Sequence, residues 1–364
     1  MITGLHHITL VSSDARRTAE FFTRVLGLRL VKKTVNFDDP GSYHLYFGDD
    51  TGSPGSAVTY FEWPKASRGM PGIGGTHHFA LTVADRDGLL MWKRRLVDHG
   101  VRVSGPFDRH YFTSLYFPGP DGEIIELATR GPGMRADAGD GLADDAQRDP
   151  PAALVKGARD EAAIAADTWP EPVPEIVPAM RLDQGMHHIS AMSGDVARTH
   201  DFLEGALGIP VVKKQRNFDD LAMLHWYWSP AGGAPKTLLT YFGMDPLRSR
   251  RARMGAGQTH HYALSVPDDD TQLAIRVRLL EANLRVTPVM DRTYFRSIYT
   301  SDPDGHVVEV ATAIPGFAVD EPVETLGHAL KLPAWLEERR ASIERSLAPI
   351  PPLGFAPREA EVGA

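Results

Sequence analysis

The sequence of 364 residues contains no cysteine, no apolar run long enough to cross a membrane and no excess of basic charge. Without cysteine there are no disulfides, thiolate ligands or cysteine nucleophiles, so any metal must be held by histidine and carboxylate groups. The 39 basic residues are outnumbered by 47 acidic ones, and the net charge of -8 argues against nucleic-acid binding. Since the N-terminus also lacks the pattern of a signal peptide, we expect a cytoplasmic protein without membrane association.

What the sequence does contain is a duplication. A shift of 181 positions superimposes 5–39 on 186–220 with 17 of 35 residues identical, and a shift of 183 superimposes 76–130 on 259–313 with 25 of 55 identical. Each half divides again, because four segments open with a histidine doublet. The doublets are His6-His7, His77-His78, His187-His188 and His260-His261.

Each of the four segments has the pattern of one strand, one helix and three further strands. The predicted fold class is therefore α+β, with four βαβββ modules in two duplicated halves. The predicted halves are 1–130, with modules at 1–62 and 74–130, and 183–314, with modules at 183–243 and 257–314. Residues 131–182 match neither repeat and are rich in Ala, Asp and Pro, which predicts a partly disordered connector. Residues 315–364 are predicted to form a C-terminal tail with a short helix.

The strand pattern predicts which histidine of each doublet faces a cavity. Neighbouring residues on a strand point to opposite faces of the sheet, so only one member of a doublet should reach a given site. The first member shares its face with large apolar residues that should pack under the helix, and the second shares its face with small or polar ones. The predicted cavity-facing histidines are His7, His78, His188 and His261.

Two glutamates, Glu126 and Glu309, occupy equivalent repeat positions within apolar strands. A carboxylate there is costly to bury unless it is paired or bound to a metal. Two histidines and one glutamate form the facial triad typical of non-haem Fe(II) oxygenases, although Mn(II), Zn(II) or Ni(II) could also occupy such ligands. An Asp-Arg-x-Tyr-Phe-x-Ser-x-Tyr motif recurs as well, and its arginines, Arg109 and Arg292, are candidates for site residues or for ordinary salt bridges.

These modules, with histidines at their openings and glutamates near their ends, resemble the vicinal oxygen chelate superfamily, which includes glyoxalase I and extradiol dioxygenases. More closely, the chain resembles the hydroquinone-type ring-cleaving dioxygenases of that superfamily. The stretches that carry this resemblance are 5–9, 30–39, 43–47 and 292–309. The resemblance implies cup-shaped mixed sheets and an oxidoreductase that uses Fe(II), or Mn(II), to insert both atoms of O2 into a hydroquinone-like or catechol-like aromatic.

The resemblance also implies roles for individual residues. The metal ligands that it implies are His7, His261 and Glu309. The catalytic residues that it implies are His6, His260, Arg292 and Tyr299, and the substrate-binding residue is Thr9. For His6 and His260 this disagrees with the strand pattern, which places both on the core face. We follow the resemblance, because both lie at the start of a strand, where the alternation rule is least binding.

One departure from the family pattern concerns a second set of candidate ligands. The repeat-related set is His78, Glu126 and His188. We therefore hypothesise a second metal site, the alternative being a degenerate site that keeps its residues without binding metal. The sequence does not decide which modules pair. If the third and fourth modules share a site, His188 replaces His7 beside His261.

Two other functions stay open at this point. A Zn(II) or Ni(II) glyoxalase-type isomerase would need no O2, but such enzymes usually offer two glutamates per site and each triad here has one. A non-enzymatic binding or resistance protein needs only a metal-free cleft, which would not explain repeated histidines and glutamates. The predicted partners are a small aromatic substrate and O2, and a homo-oligomer is left open.

Overall fold

The computed structural model describes residues 1–134, 136, 146–351 and 353. The strands are, in chain order, β1 (Gly4–Ser12), β2 (Arg29–Val35), β3 (Tyr43–Gly48), β4 (Ala57–Glu62), β5 (Gly75–Val83), β6 (Ser104–Asp108), β7 (Thr113–Pro118), β8 (Ile124–Thr129), β9 (Gln147–Arg148), β10 (Met186–Ser193), β11 (Val211–Arg216), β12 (Leu224–Trp228), β13 (Leu238–Gly243), β14 (Thr259–Val266), β15 (Met290–Asp291), β16 (Phe295–Ser301) and β17 (Val307–Pro315). The α-helices are α1 (Ala15–Glu20), α2 (Arg86–Asp98), α3 (Glu161–Ala166), α4 (Val196–His200), α5 (Asp269–Glu281) and α6 (Arg340–Ser346). No helix among these residues is long and apolar enough to cross a membrane.

Each of the four modules runs as one strand, one helix and three strands, which confirms the predicted α+β class. The four module helices begin alike, because an aspartate side chain accepts a hydrogen bond from the first turn of each. These caps are Asp14, Asp85, Asp195 and Asp268. Helices α1 and α4 continue into π-helical turns at Phe21–Val25 and Asp201–Ala206, which the apolar spacing did not predict.

The strands form two curled sheets, and each sheet combines one module from each half of the chain. The first sheet joins modules one and four in the order β15-β16-β17-β14-β1-β4-β3-β2. The second sheet joins modules two and three in the order β6-β7-β8-β5-β10-β13-β12-β11-β9. Strand β1 pairs with β14 and β10 pairs with β5, both antiparallel, at the centre of each sheet. This pairing decides what the sequence left open: His7 lies beside His261, and His188 beside His78.

A β-bulge interrupts the central strand pairs at the first histidine of every doublet. The β1–β14 ladder shifts register at His6 and again at His260, which are its extra residues. The β5–β10 ladder shifts in the same way at His77 and His187. Because a bulge breaks the alternation of side chains, the two rings of each doublet lie close together instead of on opposite faces. Their Nδ1 atoms are 2.7–2.9 Å apart in all four doublets.

The described part of the connector packs against the second sheet. Strand β9 pairs with β11, and the Trp92 indole of α2 donates a hydrogen bond to the Met180 carbonyl. Part of the segment predicted to be disordered, at 135 and 137–145, lies outside the described residues.

The described part of the C-terminal tail packs against the first sheet, and residues 352 and 354–364 of the predicted tail lie outside the described residues. It contains α6, whose Ile343 is buried together with Leu336 and Leu347, the three residues that the apolar spacing directs inward. The Phe317 ring of the tail packs against Phe295 of β16, which borders the first candidate site. The tail is therefore part of the wall behind that site.

Candidate metal centres

Three adjacent strands of the first sheet, β17, β14 and β1, bring together Glu309, His261 and His7, which we call the first centre. The two histidine Nε2 atoms are 3.2 Å apart. The Glu309 Oε2 atom lies 2.9 Å from the Nε2 atom of His261 and 3.3 Å from that of His7. All three side chains are buried. The fold thus gathers the three predicted ligands at one point.

The spacing and chemistry of these donor atoms fit a metal ion. Ligands about 2.1 Å from a metal and at right angles to one another lie about 3.0 Å apart, and the observed separations are 2.9–3.3 Å. The Ser297 hydroxyl donates to the other carboxylate oxygen of Glu309. The buried Oε2 atom itself accepts no hydrogen bond from any described residue. A cation at the common point of the three atoms would satisfy it.

The second sheet repeats this geometry with His78 of β5, Glu126 of β8 and His188 of β10, which we call the second centre. The Glu126 Oε2 atom lies 2.8 Å from His78 Nε2 and 3.2 Å from His188 Nε2, and the two nitrogens are 3.1 Å apart. Glu126 is fully buried, and within the described part of the chain neither of its oxygens has a hydrogen-bond partner. These residues fit a metal ion as well as those of the first centre do.

The electrostatics of both centres favour a bound cation. Burial lowers the pKa of His261 and of His78, which keeps their imidazoles neutral and able to offer a lone pair. Burial alone would raise the pKa of Glu309, but His7 and His261 hold it well below its ordinary value, and His188 and His78 do the same for Glu126. An ionised carboxylate buried beside neutral His261 or neutral His78 leaves negative charge away from water, which a divalent cation would neutralise.

His6 lies one layer behind the first centre and orients His7. Its Nδ1 is 2.9 Å from the Nδ1 of His7, and its Nε2 is 3.2 Å from the Thr312 carbonyl oxygen. Burial lowers the pKa of His6 to about 3, so the ring is neutral. All contacts are satisfied when His6 Nε2–H donates to Thr312 and His7 Nδ1–H donates to His6, which leaves His7 Nε2 free for a metal.

His260 and His77 differ from the strand-alternation prediction, which placed the first histidine of each doublet under the helix. His260 lines the cavity at the first centre, and His77 lines the one at the second. The physical reason is the bulge at each position, which turns the side chain out of the alternating pattern. Burial, and then the neighbouring His261, lower the pKa of His260 to about 4, so that this ring is also neutral.

The other predicted site residues divide into two groups. Arg292 and Tyr299 line the cavity of the first centre, where the Arg292 Nε–H donates to the Tyr299 hydroxyl oxygen at 3.1 Å. Thr9 lies behind the cavity wall, and its hydroxyl is 2.8 Å from that of Thr59. The His44 Nε2 atom is 2.9 Å from the Thr59 hydroxyl. Thr9 is thus linked to the cavity through His44.

Among the residues that line the cavity of the first centre and that sequence reasoning missed are His44 and Tyr46 of β3. The Tyr46 hydroxyl is 2.9 Å from His44 Nδ1, so both ring nitrogens of His44 have partners. Their counterparts under the shift of 181 are His225 and Tyr227, which line the cavity of the second centre with the same contact at 2.8 Å. That repeat was the pattern that could have identified them.

Replacing His6 with glutamine is expected to weaken metal binding at the first centre about 10-fold to 100-fold, because His7 loses the partner that orients its ring. The measurement is a Co(II) titration followed by absorbance, made in a Glu126→Gln background so that only the first centre is read. The control is His328→Gln, which removes an exposed histidine of the tail. An unchanged dissociation constant in the His6 variant would contradict this role.

Comparison with known proteins agrees with the fold and the repeat. The sequence pattern of the Glyoxalase/Bleomycin resistance protein/Dioxygenase superfamily matches residues 4–127 and 185–310. MhqO of Bacillus subtilis (strain 168), provisionally named a ring-cleaving dioxygenase, is 32% identical over 95% of this chain and 96% of its own. The chlorohydroquinone/hydroquinone 1,2-dioxygenase of Sphingobium indicum is 30% identical over 95% of this chain and 96% of its own.

Among solved structures, a protein from Bacillus subtilis provisionally named a dioxygenase superimposes with a TM-score of 0.77 at 30% identity. That match covers 96% of this chain and 97% of the other. The duplicated pattern, the two curled sheets and relatives similar over nearly their full length lead to one conclusion. The chain is a member of the glyoxalase/bleomycin resistance protein/dioxygenase superfamily, with the vicinal oxygen chelate fold.

Proposed function

We propose that the protein is an Fe(II)-dependent ring-cleaving dioxygenase that inserts both atoms of O2 into a hydroquinone-like or catechol-like aromatic. The reaction is assigned to the first centre, with His7, His261 and Glu309 as ligands. The observation that carries the proposal is this triad of two imidazoles and one carboxylate, buried at the base of an aromatic-lined cavity. The names of the relatives in Bacillus subtilis and Sphingobium indicum support it.

The cavity of the first centre suits a small aromatic ring. Its volume is about 190 Å³. Much of its wall is aromatic, and the side chains that form this part are Phe37, Tyr46, Phe61 and Phe295. Aromatic walls favour a flat ring through offset or edge-to-face contacts. The polar groups Tyr299, Arg292 and His260 would meet the hydroxyl groups of such a ring.

A metal ion held by the triad supplies positive charge that raises the acidity of a substrate hydroxyl, together with open coordination positions for the reactants. The protein's own contribution would be to hold the metal through three side chains that all border the cavity. Burial of all three ligands keeps bulk water away from the reacting atoms.

Tyr299 and Arg292 act together as a hydrogen-bond donor pair. Burial raises the pKa of the Tyr299 hydroxyl, so it stays protonated. Because Arg292 donates to the Tyr299 oxygen at 3.1 Å, the tyrosine proton is left to donate to a substrate oxygen in the cavity. The guanidinium charge strengthens this donor as negative charge develops on the substrate.

His260 is a second hydrogen-bond donor in this proposal. Its Nδ1 atom is 2.8 Å from the Nδ1 of His261, and among the described residues its Nε2 atom has no hydrogen-bond partner. When His261 holds a metal through Nε2, its Nδ1–H donates to His260 Nδ1, so the neutral His260 ring carries its own proton on Nε2 and can donate a hydrogen bond to a substrate oxygen in the cavity. Its edge-to-face contacts with Phe61 and Trp63 hold the ring in place.

The function is tested by reconstituting metal-free protein with Fe(II), Mn(II), Zn(II) or Ni(II) under anaerobic conditions. With Fe(II), admission of air and hydroquinone is expected to give oxygen uptake, whereas Zn(II) and Ni(II) should give none. Each sample is also assayed for isomerisation of the methylglyoxal–glutathione adduct. Isomerisation with Zn(II) or Ni(II) and no oxygen uptake with Fe(II) would favour a glyoxalase-type enzyme. Failure to bind any metal or to consume oxygen would favour a binding protein.

A further inference from the structure

We propose that the second centre (His78, Glu126 and His188) is a second metal site, and that its cavity takes a bulkier and less polar phenol than the first. The inference goes beyond the proposed function, because it concerns a different site and a different ligand. It rests on that function only for the phenolic class of the ligand.

The donor atoms of the second centre are buried and lie close enough together to share one metal ion. Three buried groups place one oxygen and two nitrogens within 2.8–3.2 Å of one another. In the described structure both oxygens of Glu126 lack hydrogen-bond partners. At the first centre, Ser297 donates a hydrogen bond to one oxygen of Glu309. The Glu126 carboxylate therefore depends more on a cation than the Glu309 carboxylate does. A fully buried carboxylate without partners is costly unless a positive charge compensates it.

The two cavities also differ in size. The cavity at the second centre measures about 380 Å³, against about 190 Å³ at the first. The second cavity therefore has about twice the room of the first for a substituent on an aromatic ring.

One exchange between the repeats changes the surroundings of the two cavities. At the first centre the Trp63 indole packs against His260 and Phe61, with ring centroids 5.8 and 6.5 Å apart. The residue at the same position under the shift of 181 is Met244, which lines the second cavity itself. Methionine is smaller than tryptophan and adapts its shape to irregular ligands. The second cavity is therefore bordered by a flexible thioether side chain, whereas a tryptophan lies behind the wall of the first.

The remaining wall of the second cavity is mainly apolar. Its apolar side chains include Phe107, Phe112, Met192, Phe218, Met223 and Phe242. Arg109 and Tyr116, the counterparts of Arg292 and Tyr299, also line this cavity. A ligand would place a phenolic hydroxyl at the metal and an apolar substituent against the phenylalanines and methionines.

The connector fixes one edge of this cavity. Because the connector lies outside the repeat, the first centre has no equivalent of this contact among the described residues. Arg159, in the turn before α3, donates to Asp219 at 2.7 Å and stacks over Phe107 at 4.3 Å. Arg109 donates to the other oxygen of Asp219 at 3.0 Å. Two arginines on one aspartate hold the edge in place, so the larger volume belongs to a built cavity and not to a loose loop.

Metal stoichiometry tests the first half of the proposal without any turnover. The wild-type chain is loaded with Fe(II) under anaerobic conditions, free metal is removed, and the iron content is measured by inductively coupled plasma mass spectrometry. The wild-type chain is expected to hold two ions. The matched variants Glu126→Gln and Glu309→Gln should each hold one, and the double variant none. The second site would be overturned if the wild-type chain held only one ion. It would also be overturned if Glu309→Gln held one ion fewer than the wild type while Glu126→Gln held as many as the wild type. If Glu126→Gln does not fold, His188→Gln and the wild-type count decide.

Anaerobic calorimetry with phenylhydroquinone and hydroquinone as probes tests the second half. Phenylhydroquinone is expected to bind the Fe(II)-loaded Glu309→Gln chain at least about 10-fold more tightly than the Glu126→Gln chain. Met244→Trp, which installs the first-centre residue, should keep both ions and lose phenylhydroquinone affinity. Equal binding to the two glutamine variants, or unchanged binding in Met244→Trp, would overturn the ligand assignment. Because these readouts need no oxygen, they stand apart from failure of the dioxygenase assay.

Discussion

Replacing Glu309 with glutamine is expected to lower the turnover of hydroquinone by about three orders of magnitude or more. The amide is a neutral and weaker metal ligand, and the two histidines of the first centre cannot hold a divalent ion in place alone. The Ser297 hydroxyl can still bond the side chain, so the fold should survive the change. The measurement is kcat from oxygen uptake, with the iron content of the same sample.

The control for this variant is Glu324→Gln, which removes an exposed carboxylate from the tail. Its turnover and iron content should match those of the wild type. If Glu309→Gln kept its iron at the first centre together with its turnover, the assignment of the ligands would be wrong. If it lost the turnover but kept full iron, the carboxylate would act in the reaction without holding the metal.

Replacing Lys32 with methionine is expected to lower the free energy of unfolding by about 3–5 kcal/mol, because it leaves a buried carboxylate without its partner. Lys32 is fully buried, and its ammonium donates to Asp320 at 2.6 Å and to Glu321 at 2.5 Å. It also lies 4.8 Å from the centre of the Tyr294 ring. The measurement is urea unfolding followed by circular dichroism.

The neighbouring Lys33 provides a matched control, because it lies on the same strand but is only half buried. Lys33→Met should change the free energy of unfolding by no more than about 1 kcal/mol. An equal decrease in the free energy of unfolding of the two variants would contradict the structural role assigned to the buried Lys32 ammonium. Since the tail that Lys32 holds supports Phe295 through Phe317, and Phe295 packs on His7, the Lys32 variant should also bind metal more weakly.

Much of the fold could be predicted from the repeat alone. Four doublets at equivalent positions define four modules, and the spacing of apolar residues and aspartate caps such as Asp14 locates their helices. The pairing of modules could not be predicted. Strand β1 pairs with β14, which lies near the other end of the sequence, and no local sequence pattern indicates that contact. The predicted halves therefore do not coincide with the two sheets, and the boundaries at 130 and 183 stay predictions.

The site divides in the same way. The ligands could be named because a buried glutamate and a histidine recur at fixed positions in each repeat, as Glu126 and Glu309 do. The roles of the first histidines could not, since the bulges at His6 and His260 depend on the register between distant strands. The link from Thr9 through Thr59 to His44 likewise joins three strands and has no local sequence pattern.

The most direct test of the proposed reaction is the fate of oxygen. Fe(II)-loaded protein is supplied with hydroquinone under ¹⁸O₂, and the product is analysed by mass spectrometry. For a ring-cleaving dioxygenase we expect a ring-opened product that carries two ¹⁸O atoms, formed in proportion to the oxygen consumed. Formation of benzoquinone without incorporated ¹⁸O would contradict it, and so would a ring-opened product with a single ¹⁸O atom when its carbonyl group is reduced at once to prevent exchange with water.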